Sequence, residues 1–131
     1  MAYGKQDEDA EEEVAGAGFG FVDMYDTAGT LIRRVASGGA LNAPWGMAMA
    51  PADFGRFSGD LLVGNFGDGR INAFDGQTFE PKGHLKRPDQ KPIVIDGLWG
   101  IGVGNGGNAG PNKVHQPLCE PRHSHVERCR C

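Results

Sequence analysis

The sequence has 131 residues, of which 22 are glycine and only 8% are aromatic, and this composition predicts tight turns rather than long helices. Its formal net charge is -4, with acidic residues concentrated near the start and basic residues near the end. No stretch reaches the roughly 18 continuous apolar residues of a membrane span, and no basic and apolar export signal opens the chain. We therefore expect no membrane span and no signal peptide in the sequence as it stands.

Residues 1–18 are predicted to form a strand remnant followed by an acidic loop. Six acidic residues and one lysine lie in this stretch, ahead of a run of small residues. Such a composition is typical of a solvated loop. A cation site built from Asp7, Asp9 and Glu11 is less favoured, because these residues lack the glycine and the ligand spacing of a calcium-binding loop.

Residues 19–35 predict a β-hairpin, with two apolar runs on either side of a turn that begins at Asp26. The next segment, PWGMAMAP, alternates bulky and small residues from Trp45 onward, and LWGIGVGN repeats the alternation from Trp99. Because side chains alternate across a strand, each segment has one bulky face and one nearly bare face. A strand of this kind suits a position between two closely spaced layers.

The sequence between these two segments predicts three further strands. DLLVGNF is followed by the turn dipeptide Asp68-Gly69, and a strand over 70–74 ends at a second turn, Asp75-Gly76. An outer strand is expected over 78–85, where a proline and a glycine favour an exposed edge of the sheet.

Internal repeats indicate how these strands are arranged. Residues 22–26 and residues 71–75 lie 49 positions apart and share the order apolar, polar, apolar, aromatic, Asp. Trp45 matches Trp99 at a shift of 54. Repeats of about 40 to 50 residues built from short strands are typical of β-propellers. We therefore expect an all-β fold: a partial β-propeller with about one complete four-stranded blade, flanked by two partial blades and irregular tails.

The predicted organisation is a blade region over residues 19–108 and an irregular, disordered tail over 109–131. After about Val114 the sequence has no alternation typical of β-strands. This stretch contains all three cysteines and three of the four histidines. A chain of this length is too short to close a propeller ring of four or more blades. We therefore expect a fragment of a longer propeller, with a frame-shifted or artificial terminus.

The predicted blade has the motif Pro-Trp-Gly with an apolar run, followed by DLLVGNFGDGRINAFD, and this sequence resembles the NHL repeat class. Together with PIVIDGLWGIGVGNGGNAGPNK, it resembles more closely an uncharacterised family of bacterial propeller proteins, over residues 2–113. Many of its members carry an export signal and a PEP-CTERM type sorting tail. The resemblance implies a propeller of about six blades and an exported parent protein, in the extracellular space or cell envelope. It implies no activity.

Candidate chemistry is sparse. The glycine-rich segments at 64–69 and 104–110 lack the Lys-Ser/Thr and the following helix of a phosphate-binding loop, so turns are favoured. Asp residues, among them Asp23, Asp60 and Asp96, are conceivable metal or acid-base groups, but nothing pairs them with a nucleophile. His84 is isolated and is expected to face solvent. The two tryptophans suit sugar or base stacking, but their repeat favours packing between blades, with burial worth about 2 to 3 kcal/mol each.

The tail contains residue types that zinc prefers, but no stiff turn to space them. These weak metal candidates are Cys119, His123, His125, Cys129 and Cys131. No catalytic or cofactor-binding residue is predicted, and no cofactor. Structural roles in strand packing and turns are predicted for Trp45, Gly46, Trp99, Gly100, Asp68, Gly69, Asp26 and Asp75.

These observations predict a binding or scaffold module that meets an unknown ligand or protein at one propeller face. The alternative is a metal-assisted hydrolase or lyase with Asp, Asn and His groups around the central channel of the intact parent. We expect no nucleic-acid partner. Self-association of the chain is also expected, because both faces of its complete blade would be uncovered.

Overall fold

The computed structural model of the protein describes residues 1–10, 12–103 and 114–115, and in this part of the chain the fold is all-β. The only helix within these residues is a three-residue 3-10 turn, Gly55–Phe57. The prediction of an all-β fold is confirmed. The strands are β1 (Ala2–Tyr3), β2 (Lys5–Gln6), β3 (Glu13–Val14), β4 (Phe21–Tyr25), β5 (Leu31–Ser37), β6 (Pro44–Met49), β7 (Leu61–Asn65), β8 (Ile71–Phe74), β9 (Pro81–His84), β10 (Gly102–Val103) and β11 (Val114–His115).

The largest sheet has four antiparallel strands in the order β6-β7-β8-β9, so that each strand pairs with the next one along the chain. Asp68-Gly69 and the Asp75 turn connect its strands, as their turn chemistry predicts. The outer strand β9 contains Pro81 and lies at the edge, where a missing backbone N–H is tolerated. The four strands of this sheet lie where the sequence predicts strands, at PWGMAMAP, DLLVGNF, 70–74 and 78–85.

A second sheet has three strands in the order β1-β4-β5. The predicted hairpin of residues 19–35 forms its β4 and β5, with Tyr25 opposite Leu31 across the turn. Ala2 and Tyr3 pair with Val22 and Phe21 and add β1 to the hairpin. A short hairpin, β2-β3, continues from β1 and carries the acidic residues at its tip.

The four-stranded sheet has a hydrophobic core on each face. One core lies between it and the three-stranded sheet, and the other is closed by the segment 93–101. The first core is formed by Val22, Leu41, Val63 and Phe74, and the second by Ala50, Phe57, Leu62, Ile71, Ala73, Leu85 and Leu98. The expectation that both faces of this sheet would be uncovered is therefore wrong, because segments on both sides in sequence fold back over it.

The second Trp-Gly segment differs from its predicted strand. Pairing begins only at Gly102, and Trp99 to Ile101 have no strand partner within the described residues. The ladder is short because its partner β11 has two residues. The prediction that the β pattern stops at Val114 is wrong at this point, since Val114 and His115 form β11; the rest of the predicted tail lies outside the described residues.

Candidate functional site

Three partly exposed aromatic side chains meet at one end of the four-stranded sheet. The Trp45 and Trp99 rings contact edge to face, with centroids 4.8 Å apart and planes at 75°. Phe66 meets Trp99 in the same way, at 5.5 Å and 68°. Exposed fractions are 48% for Trp45, 41% for Phe66 and 42% for Trp99. We call these three residues the aromatic corner, because steep ring angles form a corner rather than a flat platform.

Backbone contacts from three segments fix the aromatic corner. Phe66 directly follows β7, and its N–H donates to the Ala43 carbonyl at 2.9 Å, which ties the turn to the start of β6. Gly46 lies against the backbone of Trp99 to Ile101, with no room for a β-carbon. Ile95 N–H donates to the Gly69 carbonyl at 2.9 Å and holds the segment before Trp99 against the same turn.

Exposure of the two tryptophans changes the energetic expectation for them. About half of each side chain remains in solvent, so the value expected for full burial does not apply. An edge-to-face aromatic pair contributes about 0.5–1.5 kcal/mol beyond the area it buries. Trp45 and Trp99 contact each other, and both remain partly exposed.

The acidic hairpin β2-β3 stands at the same end of the molecule. Its base is attached where Gly16 N–H donates to the Asn42 side-chain oxygen at 2.7 Å. A β-carbon on Gly67 would meet both Asn42 and Ala15, so the hairpin base packs directly against the turn that carries Phe66. The base of the acidic hairpin therefore lies next to the turn that carries Phe66.

A polar cluster covers the outer face of the three-stranded sheet. Asp23 is only 2% exposed. Its carboxylate accepts hydrogen bonds from the Tyr3 hydroxyl and the Arg34 guanidinium. The Arg34 guanidinium also lies over the Phe21 ring. The Tyr3 hydrogen bond, with help from Arg34, holds the pKa of Asp23 below its usual value against the opposing effect of burial. The same bond raises the pKa of Tyr3. The cluster neutralises a buried carboxylate, which accounts for Asp23 without a metal or catalytic role.

Two buried asparagines donate to one backbone carbonyl. Asn65 and Asn72 side-chain nitrogens lie 2.8 and 3.2 Å from the Ala40 oxygen. Asn65 Oδ1 is buried without a hydrogen-bond partner among the residues described. Sequence reasoning missed this pair. A polar residue at an inward position of an otherwise apolar strand was the available signal.

A second buried carboxylate lies at the other end of the sheet. Asp60 is nearly fully buried and is paired with Lys82 on the edge strand β9, whose Nζ lies 2.7 Å from Oδ2 and 3.0 Å from Oδ1. This pair joins the start of β7 to β9 across the intervening strand. Sequence reasoning identified Asp60 as a candidate but did not identify its partner.

The turn aspartates bond to their own turns. Asp26 Oδ1 accepts from the N–H groups of residues 28 and 30, and Asp68 Oδ1 accepts from Arg70 N–H at 3.0 Å. Asp75 Oδ1 accepts from the N–H groups of residues 77 and 78, both at 2.8 Å, and these bonds lower its pKa. Gly69 has a φ of +68° and abuts Ile95, so a side chain there would be both strained and blocked.

The remaining candidates are not brought together. Asp96 is exposed, and His84 is half-buried in β9 rather than facing solvent. Within residues 1–10, 12–103 and 114–115 no group of three His, Cys, Asp or Glu side chains is arranged to hold a metal ion. All five metal candidates of the tail lie outside the described residues. No helix in the described part has the length and apolar character needed to cross a membrane.

Comparison with known proteins found similarity to three uncharacterised proteins of Acanthamoeba polyphaga mimivirus. Uncharacterized protein R648 is 40% identical over 104 residues, which are 77% of this chain and 25% of that protein. Uncharacterized protein L690 is 44% identical over 86 residues (64% and 22%), and Uncharacterized protein R640 is 42% identical over 91 residues (68% and 17%). The chain thus spans a quarter or less of each relative. No family model and no solved structure matches.

These findings correct the family expectation. The resemblance to a bacterial, exported NHL-like family is wrong, because the relatives found are viral and no family model for such repeats matches the chain. Short glycine- and aspartate-rich strand motifs recur wherever hairpins are tightly turned, so similar wording arises in unrelated β proteins. No specific function can be assigned from the relatives.

Proposed function

We propose that the chain forms one whole blade of a β-propeller together with parts of the two neighbouring blades. Support comes first from the sheet β6-β7-β8-β9, a four-stranded antiparallel meander with both faces covered. Blades of a propeller are sheets of this kind, packed face to face around an axis. Trp45, Gly46, Trp99 and Gly100 then lie at the junction between successive blades.

Equivalent pairings in the two larger sheets support the same proposal. The order β1-β4-β5 matches β7-β8-β9, and Val22 pairs with Ala2 as Ile71 pairs with Gly64. Asp23 lies opposite Arg34 as Asn72 lies opposite His84. The first sheet therefore repeats the second, third and outer strands of the complete one, and β1 packs against the inner strand β6 of the next.

Relative length is compatible with a ring. A protein of which 104 residues are 25% is about 400 residues long, and at about 50 residues a repeat it has room for more than the four blades that a ring needs. Sheets in the described part of this chain do not close on themselves. A ring would require further repeats in a longer protein.

We further propose that this propeller is a binding or scaffold module. The observation that carries this proposal is the half-exposed aromatic corner, which lies among the turns and connections at one end of the blade. Exposed aromatic groups held by rigid strands are typical anchors of protein and ligand binding sites. All three residues are between 41% and 48% exposed, so aromatic surface is left in solvent at this end of the sheet.

Intrinsic fluorescence tests the binding role directly, because Trp45 and Trp99 are the two tryptophans of the chain. The protein would be titrated with panels of peptides and oligosaccharides while tryptophan emission is recorded. We expect at least one class to shift the emission, and Phe66→Ala to weaken that response. Absence of any response from folded protein, or a response that Phe66→Ala leaves unchanged, would overturn the proposal.

A further inference from the structure

We propose that the aromatic corner receives a cationic side chain, lysine or arginine, from a basic segment of a partner polypeptide. This inference deepens the proposed binding role and rests on it. Three observations carry it: the exposure and angles of the rings, two carboxylates close to them along the chain, and an acidic hairpin whose base packs against the turn that carries Phe66.

The rings offer the surface that a cation prefers. Cations bind over the faces of aromatic rings, and tryptophan is the strongest partner among them. Trp45, Phe66 and Trp99 meet at 75° and 68°, so their faces point in different directions around a corner. Rings at such angles form no common flat platform for a sugar ring, whereas a compact cation needs the exposed face of one ring only.

Two carboxylates lie close to the ring residues along the chain. Asp68 comes two residues after Phe66, and Asp96 comes three residues before Trp99. The hydrogen bond from Ile95 N–H to the Gly69 carbonyl, 2.9 Å long, joins the residues adjacent to these two aspartates and so brings them to one place. Within the described residues no ion pair engages either carboxylate, and the exposed Arg70 is the nearest cation along the chain.

The hairpin β2-β3, whose base packs against the turn that carries Phe66, is acidic. It carries five described acidic residues, all exposed: Asp7, Glu8, Asp9, Glu12 and Glu13. Its one lysine, Lys5, lies over the Phe19 ring at 4.9 Å and not over the aromatic corner. A negatively charged hairpin attracts and orients a positively charged segment before its side chain reaches the corner.

Tryptophan emission in a peptide titration tests the inference. The probes are a short peptide of alternating arginine and serine, the same peptide with glutamine for arginine, and a neutral oligosaccharide of similar size. We expect the basic peptide alone to shift the emission, and its affinity to fall as salt rises from about 50 to 500 mM.

Charge-matched variants locate the site. Asp68→Asn with Asp96→Asn removes two charges close to the ring residues along the chain, and asparagine keeps the turn acceptor at position 68. Asp26→Asn with Glu80→Gln removes two exposed charges, one in the β4-β5 turn and one before β9, again keeping the acceptor at position 26. We expect about fivefold to tenfold weaker binding for the first pair and less than twofold for the second.

The outcomes separate this inference from the broader proposal. Equal responses to the glutamine peptide, a response to the oligosaccharide alone, or equal losses in both variant pairs would overturn the cationic partner while leaving a binding site in place. No response to any probe from protein that melts normally would overturn both. If the Asp68 and Asp96 pair does not fold, the single variants Asp96→Asn and Glu80→Gln give the same comparison.

Discussion

Gly46 lies so close to Trp99 that a β-carbon on Gly46 would stand 2.8 Å from the Trp99 carbonyl oxygen. The same carbon would lie 2.7 Å from the Ile101 nitrogen, so the obstacle is backbone and cannot rotate away. We expect Gly46→Ala to cost about 1–3 kcal/mol of unfolding free energy, through overpacking. Gly102→Ala is the matched control, because no atom of the described residues lies within 4 Å of its β-carbon position. Urea unfolding of both variants measures this, and equal stabilities would contradict the close approach.

Removal of Lys82 should leave a buried carboxylate without its partner. Asp60 is 3% exposed, and the Lys82 side chain, about a third exposed, is the cation that compensates it. We expect Lys82→Met to lower the unfolding free energy by about 1–3 kcal/mol, less than for a fully buried pair. Lys86→Met, an exposed change on the following connection, should have little effect. A Lys82→Met protein as stable as the unchanged chain would show that the pair contributes nothing.

Acid sensitivity should depend on Tyr3. Because the folded pKa of Asp23 lies below its unfolded value of about 3.9, its stabilisation is present above that pH and is lost as the pH falls through the folded pKa. Tyr3→Phe removes the largest cause of the lowered pKa, so its stability should decline less steeply on acidification. Denaturation midpoints between pH 6 and about pH 2.5 measure the slope. Tyr25→Phe, on an exposed tyrosine of the same sheet, is the control; equal slopes for both variants would refute the assignment.

The two asparagine sites predict opposite outcomes for one substitution. Asn65 donates to the Ala40 carbonyl, so Asn65→Asp places a buried carboxylate against an acceptor, and we expect a loss of about 3 kcal/mol or more. Asn42 accepts from Gly16 N–H through its oxygen, a role that aspartate keeps, so Asn42→Asp should be nearly neutral. Thermal melts compare the two. Similar losses at both positions would mean that the donor and acceptor roles are assigned incorrectly.

Self-association remains a prediction, with a different physical cause. Both faces of the four-stranded sheet are covered, but β5 is an edge strand on which Leu31 and Ile32 are 53% and 57% exposed. Exposed apolar edge strands pair with other chains. We expect concentration-dependent sedimentation that Ile32→Lys reduces and Val94→Lys, an exposed change outside any strand, does not. A monomer at every concentration would contradict this expectation.

Sequence alone predicted those parts of the fold that depend on neighbouring residues. The hairpin at Asp26 and the turns at Asp68 and Asp75 follow from side chains that bond to amides two to four residues away. The edge position of β9 follows from Pro81, which has no N–H to donate. These rules need no knowledge of what packs against the strand.

The candidate site was less predictable because it depends on segments far apart in sequence. Burial was expected for Trp45 and Trp99 from size and repetition, yet exposure depends on what covers them, and the structure leaves both half open. The partner of Asp23 is Tyr3, 20 residues away, and Asn65 meets a carbonyl 25 residues away. Alternation patterns indicate which face a side chain occupies but not its partner on that face.

Leu62 and Val63 are neighbours in β7, yet they belong to different cores on opposite faces of the sheet. Separation of β7 from its neighbouring strands would therefore expose both cores at once, although the three-stranded sheet and the 93–101 segment lie on opposite sides of the four-stranded sheet. Because β7 contributes side chains to both cores, a change in the packing of one core also affects the packing of the other. Amide hydrogen exchange in β7 should accordingly be among the slowest in the molecule, since its release requires the largest unit of unfolding.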